Sequence, residues 1–295
     1  MTTPAPRALH VCDLDGTLLR SDGSLSPGTR DTLNHLLDRG LLLTVASARS
    51  AVAMRFLLDG LDIRLPVIEL NGAAITDLRS GRRSDTQTLS PDAARTAISV
   101  LEAAGGGTPI VTGWDHETDL VHYGAPLNRA ASWYVAEKRE YGDPRLRACS
   151  DLSAVPGRSQ VATVVGFVSD DRSADVASAL TTGLGPGASV SCASNFYVPG
   201  WSEVAVAHPC AEKGLAVRRL RELAGLSDAR ITVYGDHLND LTMFAVADRS
   251  VAPSNAHPDV LRRADLVIGH NDDDSVAGHL ALQERGFSKG VSCLS

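Results

Sequence analysis

Asp13-Leu14-Asp15-Gly16-Thr17-Leu18-Leu19 follows a short apolar run, Ala8-Leu9-His10-Val11-Cys12, that is typical of a buried parallel strand. Residues i and i+2 of a strand point to the same side, so the carboxylates of Asp13 and Asp15 should meet at the C-terminal edge of the strand. In open α/β sheets, ligands bind at that edge. Two carboxylates this close repel each other unless a shared proton, a cation or solvent relieves the repulsion. Taken alone, the pattern fits a solvated acidic turn equally well.

The sequence on either side of this stretch predicts alternating strands and helices. One helix should begin at Ser26-Pro27, because Ser26 is a candidate N-cap and Pro27 suits the first helical position. Such alternation indicates a parallel sheet with right-handed crossover connections. The predicted strands cover residues 8–12, 41–46, 66–70, 230–234, 250–252 and 266–268; the predicted helices cover 26–39, 211–223, 275–284 and segments near 52–57, 241–244 and 256–258, with a frayed tail at 287–295.

A segment without this regular alternation of strands and helices separates the two parts of the pattern. It begins after a polar break at 81–85 and continues to about residue 209. Its helix candidates are 91–104, 127–141 and 173–184, and its strand candidates are 109–122, 161–168 and 189–206. We therefore predict an α/β fold: a Rossmann-like, doubly wound parallel-sheet core from residues 1–83 and 208–295, with an inserted α+β domain at 84–207.

Composition excludes several classes of protein. A net charge of −7 argues against a general binder of nucleic acid or anionic membranes, since phosphate contacts need clustered Lys and Arg. The five cysteines are scattered and show no CxxC spacing, which favours a reduced, cytoplasmic protein over a disulfide framework or a zinc site. No apolar leader and no membrane-spanning run is found. We expect a cytoplasmic protein that binds neither membrane nor nucleic acid; oligomeric state is not predicted.

Several polar residues fall where predicted core strands end. Each has a simpler explanation by itself: Ser47 could cap the next helix, Lys213 could be a surface lysine, and Asp236 could belong to a loop. Together, in this order, they form a strong signal for a site at the sheet edge. The set comprises Asp13 and Asp15, Ser47, the pair Asp236 and Asp240, and Lys213 at a helix start.

With these residues in this order, the chain resembles the haloacid dehalogenase superfamily of phosphohydrolases, most closely the Cof-like branch with a type C2B cap. The resemblance covers the whole core, and in the insert it is one of architecture only. Two positions depart from the branch, because Ala48 and Ser275 each stand where it usually has glycine. The matching segments are Asp13–Thr17, Ala46–Arg49, Lys213-Gly214, Gly235–Asp240, Asn71–Ala73, Asn255-Ala256 and Asn271–Val276.

The resemblance implies a Mg²⁺ ion held by Asp13, Asp236 and the main-chain carbonyl of Asp15, with Asp240 holding Lys213 or metal-bound waters. Physical chemistry supports these roles, because a phosphomonoester carries two negative charges and an attacking carboxylate needs a cation nearby. Asp13 would be the nucleophile and Asp15 the proton carrier. The implied phosphate- or substrate-binding residues are Ser47, Lys213, Asn239, Arg49, Asn71 and Gly72, of which Arg49 and Asn71 could equally be structural.

The leading hypothesis is a Mg²⁺-dependent phosphatase, a phosphoric monoester hydrolase acting through an aspartyl-phosphate. Its partner would be a small phosphomonoester such as a sugar phosphate, a nucleotide or a cofactor precursor. A phosphomutase or phosphotransferase could use the same intermediate, since Asp15 serves both reactions. A catalytically silent metabolite-binding protein is disfavoured, because Asp13, Asp15, Lys213 and Asp236 are all present.

The insert would close over the sheet edge, exclude water and select the leaving group. Its candidate specificity residues are mostly aromatic. A structural role is favoured for each of them, because aromatic residues in a small α+β layer usually build its core. The candidates are Trp114, Asp115, His116, Tyr197 and Trp201.

Overall fold

The computed structural model describes residues 7–104, 107–116, 118–125, 127–140, 142–195 and 197–291. The strands are β1 Ala8–Cys12, β2 Leu42–Val45, β3 Val67–Glu69, β4 Ala74–Thr76, β5 Arg83–Thr86, β6 Ile110–Asp115, β7 Thr118–Tyr123, β8 Leu146–Ala148, β9 Gln160–Ser169, β10 Ser189–Ser194, β11 Trp201–Ala207, β12 Arg230–Tyr234, β13 Arg249–Pro253 and β14 Leu266–Ile268. The helices are α1 Pro27–Asp38, α2 Ala51–Leu57, α3 Pro91–Ala103, α4 Arg129–Glu140, α5 Asp170–Leu184, α6 Lys213–Leu223, α7 Leu241–Phe244, α8 Pro258–Leu261 and α9 Ser275–Val291.

The chain divides into two units, Met1–Thr86 with Glu212–Ser295, and Gln87–Ala211. The first division falls after β5, because β5 pairs antiparallel with β4. The polar break predicted at 81–85 is wrong for its last three residues, because they belong to β5. Its side chains are alternately half-buried and exposed, so no apolar pattern marked it as a strand.

The first unit contains a five-stranded parallel sheet in the order β14-β13-β12-β1-β2. Strand β1 is therefore central, with β12 on one side and β2 on the other. Strand β3 lies next to β2 through a single parallel bridge between Ala46 and Ile68, and otherwise pairs with β4 in a three-stranded antiparallel sheet. The left-handed backbone of Leu70 and Asn71 turns the chain back after β3.

Helices cover both faces of this parallel sheet. Leu9 and Val11 of β1 pack in one apolar cluster with residues of α6, such as Leu220. Cys12 packs on the opposite side, in a cluster that includes Leu33 of α1 and residues of α9. Each fully buried Leu or Val contributes about 1.5–3 kcal/mol relative to an exposed side chain. The predicted doubly wound α/β fold is confirmed.

Helix boundaries follow local sequence signals in most places. Ser26 caps α1 as predicted, since its side chain accepts a hydrogen bond from the Thr29 amide at 3.0 Å. The last helix is longer than predicted, because α9 continues to Val291 through the expected tail. Within the part of the chain that the structure describes, no helix is both long and apolar enough to cross a bilayer.

The second unit contains a six-stranded mixed sheet in the order β10-β11-β9-β6-β7-β8. Consecutive residues of β9 enter different apolar clusters, as expected for a strand buried on both faces. Val164 and Val168 pack with residues of α3 and α5, whereas Phe167 packs with α4. This unit is α+β. Parts of the predicted glycine run at 105–107 and the last residue of the predicted helix 127–141 lie outside the described residues.

Two histidines and a tyrosine form a buried polar chain in the first unit. The hydroxyl of Tyr234 lies 3.4 Å from Nδ1 of His10 and 3.3 Å from Nδ1 of His279. Burial and then the neighbouring His279 lower the pKa of His10 to about 4. Burial and then Arg249 lower the pKa of His279. Folding therefore disfavours the charged form of both imidazoles.

Acid should weaken the fold through His10. Because its pKa is depressed on folding, the unfolded chain binds a proton first, so stability is lost as the pH falls from about 6.5 toward 4, by about 3 kcal/mol in total. Replacing His10 with Asn, which does not titrate there, should reduce this loss. The measurement is urea unfolding of wild type and H10N at about pH 7 and pH 4.5. The exposed His35→Asn change on α1 is the control, and an equal pH dependence in wild type and H10N would contradict the assignment.

Candidate active site

Three adjacent strands of the first unit bring the candidate residues to one edge. Asp13 directly follows the central strand β1, and its amide donates to the carbonyl of Tyr234 at the end of β12 at 2.9 Å. Ala46 follows β2, and its amide donates to the carbonyl of Cys12 at 2.9 Å. Asp236 and Ser47 therefore flank Asp13, as expected from the order of the strands.

Lys213 is fully enclosed between two carboxylates. Its Nζ donates to Oδ1 of Asp13 at 2.8 Å and to Oδ1 of Asp240 at 2.6 Å. The exposed fraction is 1% for the Lys213 side chain and 0% for that of Asp240. A lysine is almost never buried to this degree unless it is paired. The alternative of a surface lysine is excluded.

Asp240 uses its second carboxylate oxygen to hold the turn after β12. Oδ2 accepts hydrogen bonds from the amides of Asp236 and His237, both at 3.0 Å. Both oxygens of Asp240 are therefore occupied by donors of the chain itself. The Asp240 side chain thus holds both the Lys213 ammonium group and the backbone of Asp236.

Asp236 is oriented by the turn that follows Asp13. Thr17 donates from Oγ1 to Oδ1 of Asp236 at 2.6 Å. Gly16 has a φ of +74°, and a Cβ there would lie 2.4 Å from Oδ2 of Asp236. Only glycine suits both this backbone conformation and this close approach. The glycine of the opening stretch is thus explained by the position of Asp236.

The buried cluster carries more negative than positive charge. Asp13, Asp236 and Asp240 each place a carboxylate oxygen within 4.8 Å of the others, and Lys213 is the direct cationic partner of Asp13 and Asp240. Burial, and then the charge of Asp240, raise the pKa of Asp13 well above its usual range, against the opposing effect of Lys213. Burial also raises the pKa of Asp236 to about 6, although the Thr17 hydrogen bond opposes it. Hard oxygen ligands with uncompensated charge are a suitable donor set for a divalent cation such as Mg²⁺.

Asp15 lies apart from this carboxylate cluster. Its two oxygens accept hydrogen bonds from Nε and Nη2 of Arg49, each at 2.7 Å. Both side chains are partly exposed, at 49% for Asp15 and 36% for Arg49. The two aspartates of the opening stretch are therefore in different environments, one buried beside an ammonium group and one at the surface beside a guanidinium group.

Ser47 is buried at the end of β2, and it does not cap the following helix. The N-cap of α2 is Ser50, whose side chain accepts from the Ala53 amide at 3.3 Å. The Ser47 hydroxyl instead accepts a hydrogen bond from the Arg49 amide at 3.1 Å. An accepting hydroxyl still has its own hydrogen to donate, so Ser47 is suited to hold an anionic oxygen.

Gly72 and Asn71 belong to a loop that packs against the start of α6. Gly72 has a φ of +102°, and a Cβ there would lie 2.6 Å from the carbonyl oxygen of Glu212. Its own carbonyl accepts from Nη2 of Arg219 at 2.9 Å. Asn71 accepts a hydrogen bond from Nδ2 of Asn239 at 3.0 Å. Gly72 is therefore required by its close packing against Glu212, the residue before Lys213.

Comparison with known proteins supports the family resemblance found in the sequence. A family model for haloacid dehalogenase-like hydrolases matches residues 10–280. The chain belongs to the haloacid dehalogenase-like hydrolases. The predictions of this family and of an enzyme of the phosphoric monoester hydrolase class are confirmed.

The curated relatives of this haloacid dehalogenase-like chain are phosphatases. It is 25% identical over 279 residues to 5-amino-6-(5-phospho-D-ribitylamino)uracil phosphatase YwtE of Bacillus subtilis, covering 90% of this chain and 94% of the relative. It is 28% identical over 279 residues to the HMP-PP phosphatase of Cronobacter sakazakii, covering 92% and 94%. A haloacid dehalogenase-like hydrolase from Bacteroides thetaiotaomicron has the same fold, with a TM-score of 0.74 at 23% identity over 93% of this chain and 98% of that one.

Two asparagines hold the opening stretch of the haloacid dehalogenase-like core, and their role was not predicted. Asn255 follows β13 and donates from Nδ2 to the carbonyl of Gly16 at 2.7 Å. Asn271 follows β14 and donates from Nδ2 to the carbonyl of Leu19 at 2.9 Å. Both lie in segments that match the family pattern. The same rule that found Asp236, a polar residue just after a core strand, would have found them.

The specificity candidates of the insert have different environments. Trp114 is buried and donates from Nε1 to Oε1 of Gln160 at 2.9 Å, so it is part of the packed layer. Trp201 packs beside the α4 cluster. Tyr197 is 67% exposed and stacks on Trp133, with ring centroids 4.8 Å apart. His116 and Asp115 are exposed, and their side chains lie 3.6 Å apart.

Proposed function

We propose that this chain is a Mg²⁺-dependent phosphatase that hydrolyses a small phosphorylated metabolite through an aspartyl-phosphate on Asp13. The observation that carries the proposal is the buried Lys213, held between Asp13 and Asp240 at the edge of the sheet. It places a fixed cation beside a carboxylate at the centre of the site. A phosphate bound there would meet a nucleophile and a stabilising charge together.

A metal ion fits this site through the chemistry of its donors. We assign Asp13 and Asp236, with the main-chain carbonyl of Asp15, as the residues that would hold Mg²⁺. Asp240 already uses both oxygens within the chain, so its proposed role is to orient Lys213 and the Asp236 turn. When bound, Mg²⁺ would reduce the repulsion between the attacking carboxylate and the phosphate dianion.

The chain's own residues would perform the reaction in two steps. A carboxylate oxygen of Asp13 attacks phosphorus, the P–O bond to the leaving group breaks, and Asp15 gives its proton to the departing oxygen. Asp15 then takes a proton from water, and the resulting hydroxide attacks phosphorus and releases Asp13. Because Asp15 lies outside the buried cluster, it can reach groups that arrive from solvent.

Ser47 and Lys213 would bind the transferring phosphoryl group. The Ser47 hydroxyl and the Lys213 ammonium are proposed to donate to phosphate oxygens as negative charge spreads over them. Asn239 is proposed to donate to phosphate or to position Asn71, with which it is hydrogen-bonded at 3.0 Å. Gly72 is proposed to act through packing against Glu212 rather than by contacting phosphate.

The proposed substrate class is a small phosphomonoester. The curated relatives include phosphatases named for a ribitylaminouracil phosphate and for pyridoxal phosphate, which supports a cofactor-related metabolite. The insert, Gln87–Ala211, is proposed to select the leaving group. Among the aromatic candidates, Tyr197 is the most exposed.

Removal of divalent metal should abolish phosphate release. The test is inorganic phosphate production from p-nitrophenyl phosphate and a panel of phosphorylated metabolites, with Mg²⁺ and again with excess EDTA. We expect the activity measured in Mg²⁺ to fall by about 100-fold or more in EDTA and to return with Mg²⁺. Without the metal, the attacking carboxylate and the phosphate dianion repel each other.

Product analysis separates the proposal from its alternatives. Free phosphate equal to the alcohol released supports hydrolysis. Phosphate found on a second hydroxyl compound would indicate a phosphotransferase or mutase instead. A protein that binds metabolites of the panel but releases no phosphate from any of them would overturn the proposal in favour of a binding protein.

A further inference from the structure

Arg49 and Asp15 form an ion pair that contributes little to the stability of the fold. Two N–H groups of Arg49 meet the two oxygens of Asp15 at 2.7 Å each, which is the two-pronged geometry that fixes a carboxylate plane. Both side chains are more than one-third exposed. Exposed pairs contribute little to folding, because solvent screens them. What the pair does provide is a defined orientation for Asp15.

The backbone of Arg49 is itself held on both sides. Its amide donates to the Ser47 hydroxyl at 3.1 Å, and its carbonyl accepts from the Leu70 amide at 3.1 Å. The Arg49 side chain therefore extends from a backbone that is held in place. On one side is Ser47, which is proposed to bind phosphate, and on the other is Leu70, in the loop that packs on α6. A long, flexible side chain anchored in this way loses less of its freedom when it pairs.

We infer that Arg49 is a positioning residue that orients the Asp15 carboxyl group for proton transfer to the leaving group. This inference rests on the proposed function, in which Asp15 carries the proton. It replaces the direct phosphate contact that the sequence suggested for Arg49. The bonds made and broken are those of the proposed reaction, and Arg49 takes no part in them except through Asp15.

The inference predicts a dependence on the leaving group. An alkoxide is a strong base and leaves only as it is protonated, whereas p-nitrophenolate is stable as the anion and needs little help. Loss of orientation at Asp15 should therefore affect alkyl phosphates far more than p-nitrophenyl phosphate. A residue that bound the phosphate group would affect both substrates alike, since both carry the same phosphate.

The experiment compares kcat/KM for p-nitrophenyl phosphate and for the best alkyl phosphate of the panel in wild type and Arg49→Gln. This parameter reports the steps up to release of the alcohol, so slow breakdown of the aspartyl-phosphate does not mask the effect. We expect a loss of about 100-fold for the alkyl phosphate and less than about threefold for the aryl phosphate. Arg49→Lys keeps the charge without the two-pronged geometry and should lose most of the alkyl rate. Arg82→Gln, at an exposed arginine, is the control.

A double-mutant cycle with Asp15→Asn completes the test. If Arg49 acts through Asp15, adding Arg49→Gln to Asp15→Asn should cause no further loss of kcat/KM. Equal losses for both substrates, multiplying effects in the double variant, or a wild-type substrate ratio in Arg49→Lys would each overturn the inference. Failure of the proposed function is distinct, since wild type would then release no phosphate from either substrate.

Discussion

Asp13→Asn is expected to reduce phosphate release by about 10⁴-fold or more while leaving the fold intact. The amide has nearly the same shape as the carboxylate, and its oxygen can still accept from Lys213, which lies 2.8 Å from Oδ1 of Asp13. It is, however, a poor nucleophile toward phosphorus. The change also removes one negative charge from a cluster of three carboxylates, two of them buried, so the unfolding free energy should not fall.

The decisive measurement for Asp13→Asn is detection of the covalent intermediate. Acid-quenched wild type should show a phosphorylated species by intact mass spectrometry during turnover, and the variant should show none. The exposed Asp31→Asn change on α1 is the matched control and should keep both the activity and the intermediate. Asp13→Ala guards against slow return of aspartate by deamidation of the asparagine. More than a few per cent of wild-type activity in Asp13→Ala would rule out Asp13 as the nucleophile.

Local sequence signals predicted the five strands of the parallel sheet and their ends well, because buried parallel strands are continuously apolar and polar residues follow them. The positions of Asp13, Ser47 and Asp236 at adjacent strand ends follow from that pattern and the strand order. The polar strand β5 was missed for the opposite reason. Its polar side chains alternate between half-buried and exposed, so pairing with β4 is what makes it a strand.

Most side-chain partners could not be predicted from the sequence. The pairing of Arg49 with Asp15 joins residues 34 positions apart, and that of Lys213 with Asp13 joins residues 200 apart. Ser47 was considered as a cap of the next helix, but α2 starts later and is capped by Ser50. In each case the choice depends on which surfaces meet in three dimensions. Burial of Lys213 is the most important of these outcomes, because it makes the residue a structural cation as well as a proposed phosphate ligand.

Lys213→Met is expected to lower the unfolding free energy by about 3–5 kcal/mol in metal-free buffer. Burial alone would lower the pKa of Lys213, but Asp13 and Asp240 more than offset this and raise it above its usual value. The lysine is therefore charged when folded, and its loss leaves two buried carboxylates without their partner. Urea unfolding in EDTA at about pH 7 measures the effect. Arg218→Met, at an exposed arginine on the same helix, is the control and should change stability by less than about 0.5 kcal/mol.

The cause of this loss can be separated from a simple packing defect. If unpaired charge is responsible, adding Asp240→Asn to Lys213→Met should restore part of the stability, because one uncompensated carboxylate is removed. Added Mg²⁺ should also restore part of it, since an ion bound by the remaining carboxylates stabilises only the folded chain. If both additions leave the Lys213→Met value unchanged, the loss comes from the cavity left by the lysine. If Lys213→Met is as stable as the control, the two carboxylates do not need the ammonium group, and its place in the site must be explained by catalysis alone.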